Sequence, residues 1–164
     1  MYTRFYKVLK DRSFFLFGPR GTGKSTWLRI VLPEAQLIDL LDSRAHRLLS
    51  ADPSRLEGML TAEGGWVVLD EIQKIPELLN EVHRLIETKR WKFALTGSSA
   101  RKIKRGGANL LGGRALQRNF FPLTIWELGN DWNLRRALDT GLLPEAWTYS
   151  QPKDFLESYV SVYL

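Results

Sequence analysis

Cysteine is absent from the 164 residues, and histidine and methionine occur only twice each. Without cysteine there is no disulfide, no thiolate metal site and no cysteine nucleophile. Two histidines, His46 and His83, leave little material for a zinc site, and both lie in helical segments where a structural role suffices. No apolar run approaches the roughly 18 residues that a membrane span needs. The opening MYTRFYKVLKDRS is charged and aromatic, with no apolar core of a secretory signal. The expectation is a soluble cytoplasmic chain with no membrane partner. At 44% hydrophobic and 26% charged residues, a disordered or collagen-like chain is excluded, and the length is that of one ordinary α/β domain.

Acid is also missing, over one long stretch. Thr88–Trp126 holds nine basic residues (Lys89, Arg90, Lys92, Arg101, Lys102, Lys104, Arg105, Arg114, Arg118) and no carboxylate. The net charge of +6 therefore comes from this stretch, and the remainder is net acidic. A surface for phosphates, whether of nucleotide or nucleic acid, is one reading; a solvated basic loop is the other.

Short apolar runs alternate with helical patterns. Ser13–Phe17, Ala35–Leu40, Trp66–Leu69, Trp91–Leu95 and Arg114–Phe121 read as strands. Tyr2–Asp11, Ser25–Val31, Ser43–Ser50, Pro53–Leu60, Pro76–Lys89, Ser99–Arg105, Leu123–Leu128 and Trp132–Thr140 read as helices. Pro76–Lys89 is the clearest, with Leu78, Leu79, Val82, Leu85 and Ile86 forming one stripe. Strands alternating with helices predict an α/β fold with a mainly parallel sheet. The terminal ESYVSVYL has an amphipathic helical pattern. We expect residues 1–150 to form one domain, and 151–164 to begin a truncated helix or a linker to an absent second domain.

Gly18-Pro19-Arg20-Gly21-Thr22-Gly23-Lys24-Ser25 fits G-x-x-x-x-G-K-[ST] at every fixed position, between a predicted strand and a predicted helix. The glycines let the backbone wrap closely and turn N–H groups inward. The helix N-terminus adds positive partial charge where phosphates would sit. Lys24 supplies a cation to the outer phosphates, and Ser25 a hydroxyl to Mg²⁺, with Thr26 the alternative one step on. Arg20 lies inside the loop, where its side chain is free to face solvent. The pattern specifies a nucleoside triphosphate with Mg²⁺; no guanine-reading N-K-x-D motif is present, so ATP is expected.

Asp70 and Glu71 follow the apolar run WVVL. At the end of a neighbouring strand, Asp70 would hold Mg²⁺ and Glu71 would orient and deprotonate an attacking water. Capping of a following turn by Asp70 is the alternative. Thr96-Gly97-Ser98-Ser99 ends the fourth run and offers a hydroxyl to a terminal phosphate or the water; Ser98 is favoured, then Thr96 and Ser99. A turn capping the next helix would use the same residues. Arg114 follows a flexible glycine pair. It reads either as an arginine finger, in its own site or a neighbouring subunit's, or as a structural arginine paired with an acid.

GPRGTGKST (18–26), LDEIQKIP (69–76), LTGSSA (95–100), LLGGRA (110–115) and FFPLTIWEL (120–128) together resemble prokaryotic AAA-superfamily ATPases, in the same order and at similar spacing. The resemblance implies a phosphate-loop three-layer sandwich with sheet order 5-1-4-3-2. It implies ATP and Mg²⁺ as cofactors and hydrolysis of ATP to ADP and phosphate, slow in isolation. It gives Lys24, Ser25, Asp70 and Glu71 the roles above, Ser98 the sensor position and Arg114 the conspicuous arginine, with oligomerisation as a way of completing the site. A nucleotide-gated switch with little turnover, and a nucleic-acid-binding module, are the alternatives.

Overall fold

The computed structural model of the chain describes residues 2–8, 10–61, 64–98, 100, 103 and 111–163. These form two compact units. One comprises Val8–Gly18 and Lys24–Phe120; the other comprises Met1–Lys7, Pro19–Gly23 and Phe121–Leu164. Each is described by itself.

The first unit is built on a five-stranded sheet: β1 (Ser13–Phe17), β2 (Gln36–Asp39), β3 (Trp66–Asp70), β4 (Lys92–Gly97) and β5 (Ala115–Asn119). The spatial order is β2-β3-β4-β1-β5, which is the expected 5-1-4-3-2 order. All four pairings are parallel, with Phe17 beside both Gly97 and Asn119. All five residues of β1 are buried, as the continuous apolar run SFFLF requires of a strand covered on both faces. Its helices among the described residues include α1 (Lys24–Val31), α2 (Ser43–Ala51), α3 (Arg55–Met59) and α4 (Leu78–Lys89). The α4 stripe Leu78, Leu79, Val82 and Leu85 is buried in one cluster with Phe15, Phe17, Leu69, Phe93 and Leu95. Trp27 of α1 packs its ring 5.3 Å from that of Phe120. Asp42 caps α2 by accepting from the N–H groups of Arg44 (3.0 Å) and Ala45 (2.9 Å).

Where β1 ends, three chain segments converge. The Gly18 N–H donates to the Gly97 carbonyl at 3.2 Å. A Cβ at Gly18 would stand 2.0 Å from the Phe120 carbonyl oxygen, so no other residue fits.

The second unit holds α5 (Ile125–Leu128), α6 (Leu134–Thr140), α7 (Pro144–Thr148) and α8 (Pro152–Tyr163). Its small core is Leu123, Leu128 and Trp147, with Tyr2, Trp132, Ala137 and Leu142 against it. The Trp132 and Trp147 rings stack at 6.4 Å, whereas Trp126 is 76% exposed. Thr124 and Glu127 form a capping box at α5. The terminal amphipathic pattern is the last part of α8.

Two expectations need correction in detail. Tyr2–Asp11 has no helix among its described residues: Tyr2–Lys7 alternates half-buried and exposed, as an extended segment does. The physical reason is Arg4. Its guanidinium donates to Glu127 Oε1 (2.9 Å), the Thr22 carbonyl (2.8 Å), the Phe121 carbonyl (2.6 Å) and the Pro122 carbonyl (3.2 Å). The Phe5 N–H also donates to Glu127, at 3.0 Å. These tertiary bonds outweigh a weak local helix preference. Several helices are also shorter than expected: α3 starts at Arg55 rather than Pro53, and α5 at Ile125, where Thr124 caps it. The expected helix Ser99–Arg105 lies largely outside the described residues.

The Arg4–Glu127 pair is nearly buried, with side chains 10% and 5% exposed. Burial by itself would raise the Glu127 carboxyl, but hydrogen bonds from Arg4 and the Phe5 and Thr124 N–H groups outweigh it and hold the value below the ordinary 4.5. A depressed folded value makes its stabilisation complete above the ordinary value and lost as pH falls through the folded one. Glu127→Gln is therefore expected to cost about 3–5 kcal/mol at neutral pH, because it leaves a buried guanidinium without its counter-charge. It should also flatten the acid side of the stability curve. Urea titrations from about pH 3 to pH 7 check both.

Candidate functional site

In the first unit, parallel pairing brings the C-terminal ends of β1, β3 and β4 to one edge of the sheet. Lys24 and Ser25 open α1 there, Asp70 ends β3, and Thr96 lies near the end of β4. Asp70 is the meeting point. Its Oδ2 accepts from Ser25 Oγ at 2.5 Å, and its Oδ1 accepts from Thr96 Oγ1. Thr96 is fully buried, and its hydroxyl oxygen also accepts the Glu71 N–H at 3.1 Å. Lys24 is buried too, with Nζ donating to the Gly18 carbonyl at 2.8 Å.

Glu71 stands at φ 61°, in the left-handed region. For a non-glycine residue that costs on the order of 1–2 kcal/mol, and it has to be held by its neighbours. Two holds are visible: Thr96 takes the Glu71 N–H, and the Gln73 side-chain amide donates to Glu71 Oε2. The kink turns the chain out of β3 into the 3₁₀ turn Ile72–Lys74.

The middle of the glycine loop belongs to the second unit. Gly21 and Gly23 stand at φ 77° and 87°, the alternation of conformations that lines up backbone N–H groups. Thr22 is buried, and its Oγ1 donates to the Pro19 carbonyl at 2.8 Å. The Arg20 side chain does not simply face solvent: its guanidinium lies 5.2 Å from the centre of the Tyr163 ring, and the Tyr159 hydroxyl donates to the Arg20 carbonyl at 3.0 Å.

The expected residues thus divide. Lys24, Ser25, Asp70 and Glu71 come together at one sheet edge. Thr26 is exposed beside them. Ser98 lies just past β4 and makes no hydrogen bond among the described residues, whereas Thr96, the second choice from sequence, is the hydroxyl in contact with Asp70. Ser99 lies outside the described residues. Arg114 precedes β5 at the opposite edge of the sheet, one strand length away, or roughly 16 Å at about 3.3 Å per residue. There it pairs with Glu87 of α4 at 2.5 Å and donates to the Gly112 carbonyl at 3.1 Å. Of the nine basic residues in Thr88–Trp126, Arg101, Lys102, Lys104 and Arg105 lie outside the described residues. Lys89 is 3.6 Å from Glu57, so together with Arg114 two of the remainder face carboxylates.

Sequence reasoning assigned no role to Gln73. Its signal was its place two residues after Glu71 in DEIQ, the spacing at which a side chain can reach back across a tight turn.

A strand, glycine loop and helix, a buried lysine and a hydroxyl–carboxylate pair on one parallel sheet are now in place, and a family model for the AAA domain matches residues 10–129. The chain belongs to the AAA domain family. Its core is accordingly a P-loop ATPase fold. The AAA domain here is also similar to the Aeropyrum pernix Orc1 protein, solved in complex with DNA, at 19% identity and a TM-score of 0.48; the match covers 73% of this chain and 42% of that one. None of the curated proteins matches the sequence. Among the described residues no helix is long and apolar enough to cross a membrane.

Thr96→Val keeps the shape but removes the donor to Asp70 and leaves the Glu71 N–H unpaired. It is expected to cost about 1–3 kcal/mol, with Thr96→Ser recovering most of it. Denaturant unfolding of the three proteins side by side measures the difference.

Proposed function

We propose that this AAA domain binds Mg-ATP and hydrolyses it to ADP and phosphate. The observation that carries the reading is the convergence of the Ser25 and Thr96 hydroxyls on Asp70, beside the buried Lys24. A hydroxyl and a carboxylate at bonding distance form a hard-oxygen pair that suits Mg²⁺. Ser25 and Asp70 would hold that ion, which supplies charge neutralisation to the phosphates when bound.

The chain's own residues then have distinct tasks. The Gly18–Ser25 motif binds the phosphates through backbone N–H groups. Lys24 exchanges the Gly18 carbonyl for phosphate oxygen. Glu71 orients a water and takes its proton as the water oxygen bonds to the γ-phosphorus and the bond to the β-phosphate oxygen breaks. Thr96 holds Asp70 and the Glu71 backbone in place. Ser98, just past β4, remains the candidate for contact with the terminal phosphate. Arg114 is too far along the sheet to serve this chain's own nucleotide, which favours a neighbouring copy as the place of any catalytic contribution from it.

One observation favours a second reading, a nucleotide-gated switch with little turnover: the Glu71 carboxylate is already bound by Gln73. Phosphate release from Mg-ATP over a protein concentration series, with nucleotide binding recorded in the same samples, separates the two. Lys24→Ala should lose binding at least about tenfold. Glu71→Gln should bind but turn over about 10²–10⁴-fold more slowly. Turnover per subunit rising with concentration would support completion of the site by a second copy. Equal binding with no turnover in either the parent or Glu71→Gln leaves the switch.

A further inference from the structure

The carbonyls of the glycine loop are held by side chains from both ends of the sequence. The Thr22 carbonyl accepts from Arg4 Nη1 at 2.8 Å, and the Arg20 carbonyl from the Tyr159 hydroxyl at 3.0 Å. Within the loop, Thr22 Oγ1 holds the Pro19 carbonyl at 2.8 Å. No cis peptide bond occurs among the described residues. In a trans peptide the C=O of one residue and the N–H of the next point in opposite directions. Each anchored carbonyl therefore turns a specific N–H the other way: that of Gly23 opposite Arg4, and that of Gly21 opposite Tyr159. Both glycines have positive φ, so the chain accepts this alternation without a Cβ clash.

We infer that Arg4 and Tyr159 are positioning residues of the nucleotide site, holding the Thr22 and Arg20 carbonyls so that the Gly23 and Gly21 N–H groups face the phosphates. The inference rests on the ATP-binding reading above and extends it to residues well outside the motif. Arg4 is suited to the task because Glu127 fixes it. That carboxylate also takes the N–H groups of Phe5 and Thr124, each at 3.0 Å. Tyr159 is held between Phe155 and Tyr163, with ring centres 6.0 and 5.0 Å away. Burial and the neighbouring Tyr163 raise its phenol above the ordinary value, with Arg20 opposing, so the hydroxyl stays a donor at neutral pH. Helix α8 thereby acquires a function at the phosphate loop through a single hydroxyl.

Tyr159→Phe removes that hydroxyl and keeps the ring. Arg4→Lys keeps the charge opposite Glu127 but loses the planar fork that reaches several acceptors at once. Affinities for Mg-ATP and for inorganic tripolyphosphate, which has no base or sugar, are measured by calorimetry alongside the thermal midpoint of the nucleotide-free protein. Lys24→Ala serves as the control. The expected result is a loss of about threefold to tenfold in affinity for both probes in Tyr159→Phe, with the midpoint moved by less than about 2 °C. Arg4→Lys should weaken both probes as well. The two losses should multiply in the double variant, because different peptide groups are released. Unchanged affinity for tripolyphosphate in both single variants, whatever happens to the midpoint, overturns the inference while ATP binding stands. Failure of the parent protein to bind ATP, with Lys24→Ala no different, overturns the nucleotide reading and this inference with it.

Discussion

Parallel pairing of β1 with β4 and β5 sets the terms for everything at the sheet's C-terminal edge. With Phe17 beside Gly97 and Asn119, three strands end at the same level. The chain leaving β1 has to turn in a space already bounded by the Gly97 and Phe120 carbonyls. Only glycine passes there, and it leads into a loop whose backbone N–H groups are not consumed by a sheet ladder. The buried apolar run of β1 is the source of the arrangement's rigidity: a strand packed on both faces cannot shift register without exposing phenylalanine to water.

Asp70 is the polar counterpart of that constraint. A carboxylate at the end of a buried strand has to be satisfied by hydrogen bonds, and it is satisfied by two hydroxyls on two other elements, Ser25 and Thr96. The same threonine takes the Glu71 N–H, so the left-handed kink at Glu71 is held by the group that orders Asp70. Local strain and buried polarity thus support one another.

The second unit has a much smaller core, and its order depends on polar anchors. Arg4 serves four acceptors, and Glu127 accepts from Arg4 and from two backbone N–H groups besides. A guanidinium buried with its partner is costly to desolvate, which is why it is used where one side chain can satisfy several carbonyls at once. The middle of the glycine loop is among the segments so held.

The apolar runs, the glycine loop and the carboxylates after WVVL were legible in the sequence because each reports a local requirement: burial on both faces, freedom from a Cβ, charge at a strand end. The resemblance of the motifs in their order supplied the sheet order, and the structure agrees with it. Local patterns could not rank Thr96 against Ser98. Both are hydroxyls at the end of one run, and only the fold shows that Thr96 is the one that meets Asp70 from an adjacent strand. They could not place Arg114, because its distance from Lys24 is set by strand register rather than by chain separation. They also failed at Tyr2–Asp11, where helix propensity, a few tenths of a kcal/mol per residue, gave way to tertiary hydrogen bonds made by one arginine. Sequence determined which polar and charged groups the chain carries and in what order, since residue type and short spacing decide that. Tertiary structure alone decided which groups meet, because buried polar atoms take partners from whatever segment the fold brings within about 3 Å.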